Sequence, residues 1–253
     1  MLIVISPAKK LDFENCSPVT EYSDSLYLDK SELLIKDLRK CSALDISSLM
    51  KLSDSLTELN LERYKSFKRP FTMENSKQAI YAFKGDTYQG FDAATMTAKQ
   101  VKSAQEKLRI LSGLYGVLAP LDLIQPYRLE MGTKFSCQGN KNLYDFWSDT
   151  VTSHLNESLK KEKTLVNLAS KEYFSVVNLK KINGEVITPV FKEKKGDIYK
   201  IISFSAKRAR GMMSRYIIDN DIKDKEAINS FDIDGYKYSK SLSSELEPTF
   251  VRG

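Results

Sequence analysis

Apolar residues recur along the chain in two periods, which together predict alternating strands and helices. Leu2 to Ile5 is an unbroken apolar run, LRIL at 108–111 is a short apolar run interrupted only by Arg109, and TLVNLAS at 164–170 is apolar through most of its length. Short runs of this kind form buried strands. Between them the spacing lengthens to three and four residues. From Ser31 to Phe67, ELLIKDLRK and DISSLMKLSDSLTELNLERYKSF predict two or three amphipathic helices, with Asp45 as N-cap of the second. A further helix is predicted over 74–83, a loop over KGDTYQG at 84–90, and a helix ahead of LRIL that opens on a Thr97/Gln100 capping box. Leu143 to Glu162 predicts one long helix. GEVITPVF, the turn KKGD and IYKIISFSA predict a β-hairpin, AKRARGMMSRYIID a helix, and FDIDGYKYS with EPTFVRG a closing pair of strands. No repeat, linker or low-complexity tract interrupts the alternation. The expected fold is α/β (α+β): a single compact unit over 1–253, with a mixed central sheet flanked by helices.

The densest signal is LRILSGLYGVLAPLDLIQPYRLEMG, Leu108 to Gly132. It reads as a strand, a turn freed by Gly113 and Gly116, a corner from Pro120 to Tyr127, and YRLEM alternating as a half-buried strand. Two readings of the turn stay open. It is tight packing at a strand end, or its backbone N–H groups receive a phosphate or carboxylate oxygen, with Arg109 and Arg128 balancing the charge. No GKS or GKT follows and the GxGxxG fingerprint is absent, so no nucleoside triphosphate is implied.

Charge narrows the partners. The chain carries 39 Lys+Arg against 33 Asp+Glu, a net +6 that favours anions without identifying one. Lys9 and Lys10 follow the first strand, where an open α/β sheet meets its ligand. Lys84, Asp86 and Tyr88 lie around glycines in the predicted loop. Lys207, Arg208, Arg210 and Arg215 crowd the first turns of a predicted helix, where cations oppose the macrodipole unless an anion sits there. Cys16, Cys41 and Cys137 show no CxxC spacing and cannot all pair, which fits a reducing compartment and packed thiols. The single histidine, His154, excludes a multi-histidine metal site and reads as a helix surface residue. Neither metal nor cofactor is expected. MLIVIS is too short for a signal peptide and no stretch reaches the length of a membrane span, so the expected location is cytoplasmic, with no membrane partner.

LSGLYGVLAPLDLIQPYRLEMG, MLIVISPAKKLD at the amino terminus, FKGDTYQG at 83–90, NLASKEYF at 167–174 and ISFSAKRARGMMSRYII at 202–218 together resemble the bacterial peroxide stress protein YaaA family. The blocks run from end to end, so the resemblance covers essentially the whole chain. It implies a cytoplasmic protein of the oxidative-stress response that limits free iron and iron-driven DNA damage. It also implies an unusual α/β fold with a positively charged cleft and a helix-hairpin-helix-like element that binds duplex DNA. The helix from Thr97, the Gly113–Gly116 turn and the segment to 125 can be laid over that element. Here, however, the glycines are three apart rather than two, and LRIL reads as strand.

Three functions follow. In the first, double-stranded DNA, bent or distorted duplex included, is held with little base readout by Lys9, Lys10, Lys84, Arg109, Arg128, Lys207, Arg208, Arg210 and Arg215 and the N–H groups of Gly113 and Gly116. In the second, the chain is an enzyme acting on a nucleobase or nucleotide-like small molecule, with Ser112, Tyr127 and Glu130 as candidate catalytic groups, beside small polar residues at strand ends such as Ser6 and Asn167 to Ser170. In the third, it is an iron- or partner-binding regulator that touches DNA only through net charge.

Overall fold

In the computed structural model, which describes residues 1–253, the chain runs β1 (Leu2–Ile5), β2 (Lys10–Leu11), α1 (Leu28–Leu38), α2 (Ala43–Met50), α3 (Asp54–Ser66), β3 (Lys77–Gln78), α4 (Ala79–Ala82), β4 (Phe83–Lys84), α5 (Asp86–Phe91) and α6 (Ala98–Lys107). It continues through β5 (Leu108–Ser112), β6 (Gly116–Leu118), β7 (Leu123–Ile124), α7 (Leu143–Glu162), β8 (Thr164–Leu168), α8 (Lys171–Phe174), β9 (Glu185–Ile187), β10 (Val190–Lys195), β11 (Ile198–Lys200), α9 (Ser203–Asp219), β12 (Lys237–Tyr238) and β13 (Thr249–Arg252).

The central sheet has the order β6-β5-β1-β8-β9. β5, β1, β8 and β9 are parallel and β6 returns antiparallel, so the sheet is mixed as expected. All four residues of β1 are buried, which is why this middle strand is an unbroken apolar run. A second sheet, β11-β10-β13-β12, holds the closing strands and the part of the expected hairpin from Val190 to Lys200; its first residues, Glu185–Ile187, instead join the central sheet as β9, and its last, from Ser203, open α9. One apolar core joins the two sheets, including Ile3 and Leu165 of the first and Phe191 and Phe250 of the second.

The connections place the site. From β1 the chain moves to β5 on one side; from β8 it moves to β9 on the other. The crevice at the carboxyl ends of β1 and β8 is therefore the topological switch point, where open α/β sheets bind ligands. α5 and α9 are pressed over it. A Cβ on Gly90 would meet the Arg208 carbonyl and one on Gly211 the Thr87 carbonyl, so both glycines are needed for the two backbones to approach.

Several elements differ from expectation. Residues 84–90 are largely the helix α5, because Gly90 serves helix packing rather than a turn. The helix expected over 74–83 is only α4, flanked by β3 and β4: Lys77 and Gln78 are buried, with Lys77 Nζ donating to the Asp12 and Asn15 carbonyls at 2.8 Å each. The cap of α2 is Ser42; Asp45 closes the capping box three residues on. YRLEM alternates in burial but pairs with no strand. The helix-hairpin-helix overlay fails, since α6 leads into β5 and β6, and no helix follows the glycine turn before α7. LRIL is committed to the ladder with β1, Ile3 facing Leu108 and Ile5 facing Ile110. The capping box at Thr97 and the helix Leu143–Glu162 are present as expected.

Candidate functional site

Two serines knit the switch point together. Ser6, just beyond β1, accepts the backbone N–H of Ser170 at 2.8 Å and donates toward the Ser170 hydroxyl at 3.3 Å. Ser170 caps α8, and the Tyr88 hydroxyl from α5 donates to the Ser6 carbonyl at 3.1 Å. Above this floor opens a pocket of about 380 Å³. Five cations from separate segments line it: Lys9 and Lys10, Lys84, and Lys207 with Arg210, against two carboxylates, Asp86 and Glu172.

The cations are incompletely balanced. Lys9 reaches Glu130 Oε1 at 3.1 Å and Lys84 reaches Asp12 Oδ2 at 3.4 Å. Asp12 is held far below the usual carboxylate range, by hydrogen bonds from Asn15 and then by Lys77 and Lys84. Lys10 and Lys84 face each other directly across the β2–β4 pair, an arrangement that destabilises unless a counter-charge lies between. Arg210 is the most telling. It is half-buried, burial pushes its pKa down, and neither carboxylate nor hydrogen-bond acceptor meets its guanidinium. A desolvated, unpaired guanidinium is a standing demand for an anion.

The other basic residues lie elsewhere. Arg208 and Arg215 line a shallower hollow with Gln89 and Asp92. Arg215 is already engaged, by Asp219 at 2.8 Å and by the Asp92 carbonyl and Thr95 hydroxyl at 2.9 and 3.0 Å, and it ties α9 to the end of α5. Because α9 starts at Ser203, its cations fall beyond the first turn, and the macrodipole contributes less to their strain than the sequence suggested. Arg109 points away from the pocket and donates to His154 Nε2 at 3.1 Å and to the Leu108 carbonyl at 2.7 Å. His154 is consequently no surface residue: with Nε2 accepting, its proton sits on Nδ1 toward the Tyr27 hydroxyl at 3.2 Å, and burial, then Arg109, push its pKa down to about 4.

The glycine turn is closed. A Cβ on Gly113 would collide with the Leu129 carbonyl, and Gly116, at φ +71°, lies against the Trp147 ring, whose Nε1 donates to the Gly113 carbonyl at 2.9 Å. Residues 112–118 are all buried. Of the two readings of Gly113 and Gly116, the structure supports close packing, with no N–H path to a phosphate. Ser112 accepts from Tyr115 N–H at 3.0 Å and shares a hydrogen bond with Tyr127 at 2.7 Å, and burial drives the Tyr127 phenol far up. Glu130 reaches the margin of the site through Lys9, and Tyr127 lines the same small hollow beside it. Glu130 Oε1 takes Lys9 and Arg128, the latter at 3.2 Å, while Oε2 is buried and accepts nothing from the protein.

Burial raises the thiol of Cys41, and pushes that of Cys137 up to about 11, against thiolate chemistry at either. No three His, Cys, Asp or Glu side chains converge as a metal-ligand set, and no helix is long and apolar enough to cross a membrane. Sequence reasoning missed the pairing of Ser6 with Ser170 and the charge-holding role of Asp12. The cue for Asp12 was its place two residues after Lys10, and nothing local signalled Thr87 or the reach of Arg210.

Comparison with known proteins agrees over the full length. Residues 1–242 match the family described as peroxide stress protein YaaA. The chain is 52% identical to the UPF0246 protein of Chromobacterium violaceum and 51% identical to that of Shewanella woodyi, in each case over 100% of this chain and 99% of the relative.

Proposed function

We propose that this chain, which belongs to the peroxide stress protein YaaA family, binds double-stranded DNA in the cationic pocket at the carboxyl ends of β1 and β8. The observation that carries the reading is the convergence there of Lys9, Lys10, Lys84, Lys207 and Arg210, with Arg210 unpaired and Lys10 opposite Lys84. Lysines and hydroxyls on a sheet edge suit phosphate oxygens rather than base edges, so binding is largely independent of sequence. A concave site accepts a bent or distorted duplex more readily than a straight one. Cytoplasmic DNA held this way is shielded where it lies, which is how the protein limits iron-driven damage under peroxide stress.

Fluorescence anisotropy with straight and bent duplexes across a salt series tests this. Changing Lys10, Lys207 and Arg210 together to alanine is expected to flatten the log–log salt slope by about 0.9 per lost phosphate contact. An unaltered slope removes the pocket from consideration.

Glu130 favours a second reading, that of an enzyme acting on a nucleobase or nucleotide-like substrate at the same site. The Glu130 carboxylate pairs with the pocket cation Lys9 through Oε1 and keeps Oε2 without a protein partner, which makes it a candidate proton acceptor. Glu130→Gln is expected to abolish turnover and leave duplex affinity intact; loss of affinity without any detectable turnover in the parent would refute it.

A further inference from the structure

Beyond Arg210 lies a second, larger hollow. It holds about 1010 Å³, between the β8–β9 edge of the central sheet and the second sheet. Arg210 lines both this chamber and the cationic pocket, so one guanidinium forms the partition between them. The two differ in character. Half of the chamber's lining is hydrophobic: Ala169, Val177, Phe191 and Ala206 are buried within it, and Phe174 stands half-buried in its wall. Its mouth carries Leu179, Ile201 and Leu246, which are 58%, 58% and 47% exposed, an apolar rim that no other part of the chain covers. Two of its three carboxylates, Glu185 and Glu245, share one ammonium, Lys225, at 2.7 and 3.0 Å, and the third, Glu247, stands at the rim beside Leu246. Small polar groups stand at the strand ends, the Asn167 amide donating to the Thr188 hydroxyl at 3.3 Å and accepting from the Ala169 N–H at 3.1 Å.

Resting on the DNA reading, we infer that the chamber receives the base of an extrahelical nucleotide whose phosphate is held by Lys207 and Arg210 in the adjoining pocket. The ligand that fits the pair of hollows is anionic at one end and flat and apolar, with a polar edge, at the other. A nucleotide turned out of a duplex has that form. Phe174, the one aromatic of the lining that is not fully buried, supplies a stacking face to any base, the Asn167 and Thr188 side chains stand where a base edge would reach, and the partition guanidinium meets the phosphate between them. The protein would thus select DNA by how easily a base leaves the stack, since mismatched and damaged positions cost least to open.

The test uses the full-length protein with two duplexes of identical sequence apart from one position, where 2-aminopurine is either correctly paired or mismatched. Expected are about tenfold tighter binding of the mismatched duplex and a several-fold rise in 2-aminopurine emission on binding. Both are lost in Phe174→Ala, while affinity for the paired duplex stays within about twofold. Should that variant fold poorly, Ile201→Ser with Leu246→Ser alters the same chamber from its exposed rim. Equal affinities with flat emission, or a preference that survives both variants, would overturn the chamber while leaving salt-dependent binding in the pocket intact. Absence of binding to either duplex would overturn both readings.

Discussion

The Gly113–Gly116 turn and the cationic pocket both sit at the carboxyl edge of the central sheet, one at the end of β5 and the other at the ends of β1 and β8. They are assembled in opposite ways. In the turn, Ser112, Tyr115, Tyr127 and the Gly113 carbonyl satisfy one another or Trp147, and no side chain faces solvent. In the pocket, Lys10, Lys207 and Arg210 have no partner, and like charges stand opposite each other. A closed network contributes stability and excludes ligands; an open one forgoes stability and leaves groups for a ligand to satisfy. The stretch with the most conspicuous sequence is thus the packed one, and the inconspicuous lysines make the candidate site.

The largest effect that can break this contrast is expected at Gly113. An added Cβ meets the Leu129 carbonyl, which belongs to backbone and cannot swing aside. Gly113→Ala should therefore cost more than about 4 kcal/mol, read by urea denaturation. Gly116→Ala should follow closely, since it combines positive φ with a contact of 2.5 Å to Trp147. Near-parental stability with weakened DNA binding would reverse the assignment and make the turn a ligand site after all.

That reversal measures how far the sequence could be read. Short, mainly apolar runs gave β1, β5 and β8; only β1 is apolar throughout, and Arg109 in β5 and Asn167 in β8 each break the run once at a position with a partner of its own. Capping chemistry gave the start of α6, and the long helix α7 was legible to the residue. Glycine misled because its uses look alike in one dimension. Gly90 suggested a loop and permits a helix crossing; Gly113 suggested an anion cradle and admits a carbonyl. Lys9, Lys10 and Lys84 were identifiable as cations beside strand ends or in a loop, and Lys207 and Arg210 as cations in the first turns of a helix. Their convergence depends on parallel pairing of β1 with β8 and on the α5–α9 crossing, which are long-range facts. Arg109 was lost to the site because it is claimed by His154, a contact 45 residues distant.

The second effect belongs to the paired region and comes from pH. His154 falls to about 4 in the fold from an ordinary 6.5, so its contribution to stability is complete above about pH 6.5 and disappears as pH drops toward 4. Asp122, pushed up to about 6 from 3.8 by burial, acts in the opposite sense: it favours folding below about pH 4 and loses that contribution as pH rises through 6. Each shift corresponds to about 3 kcal/mol. The two largely cancel between pH 4 and 6, giving a flat stability profile. His154→Gln keeps an acceptor for Arg109 without titrating and should tilt the profile, stability then falling as pH rises from 4 to 6. A profile unchanged by this substitution would mean that His154 is charged in the folded protein.

Arg210 gives the third effect. Arg210→Met preserves most of the side-chain volume and removes a half-buried charge that has no protein partner. Stability should stay level or rise slightly, because no ion pair is broken and a desolvation cost is relieved. Duplex affinity should fall about tenfold, equivalent to about 1.4 kcal/mol. A substantial loss of thermal stability would show that Arg210 is engaged structurally and would weaken the contrast between the two regions.

The smallest effect isolates the pocket's strain. Lys10 and Lys84 are directly opposed across β2 and β4, but Lys84 has Asp12 at 3.4 Å and Lys10 has no carboxylate. Changing Lys84 to alanine releases the repulsion and also strands part of the charge on Asp12, so its net effect is near zero. Lys10→Ala releases the repulsion alone and should raise stability by about 0.5 kcal/mol in dilute buffer. Both side chains are exposed, so salt should erase the gain as the Debye length shrinks to about 10 Å at 0.1 M and about 3 Å at 1 M. Duplex DNA should erase it as well, and at far lower ionic strength, because a phosphate between the two ammonium groups turns the repulsion into attraction. A stabilisation that persists in salt would have to arise from backbone or packing. One that vanishes in salt but survives saturating DNA would place the phosphates elsewhere and leave Lys10 and Lys84 as an unrelieved pair.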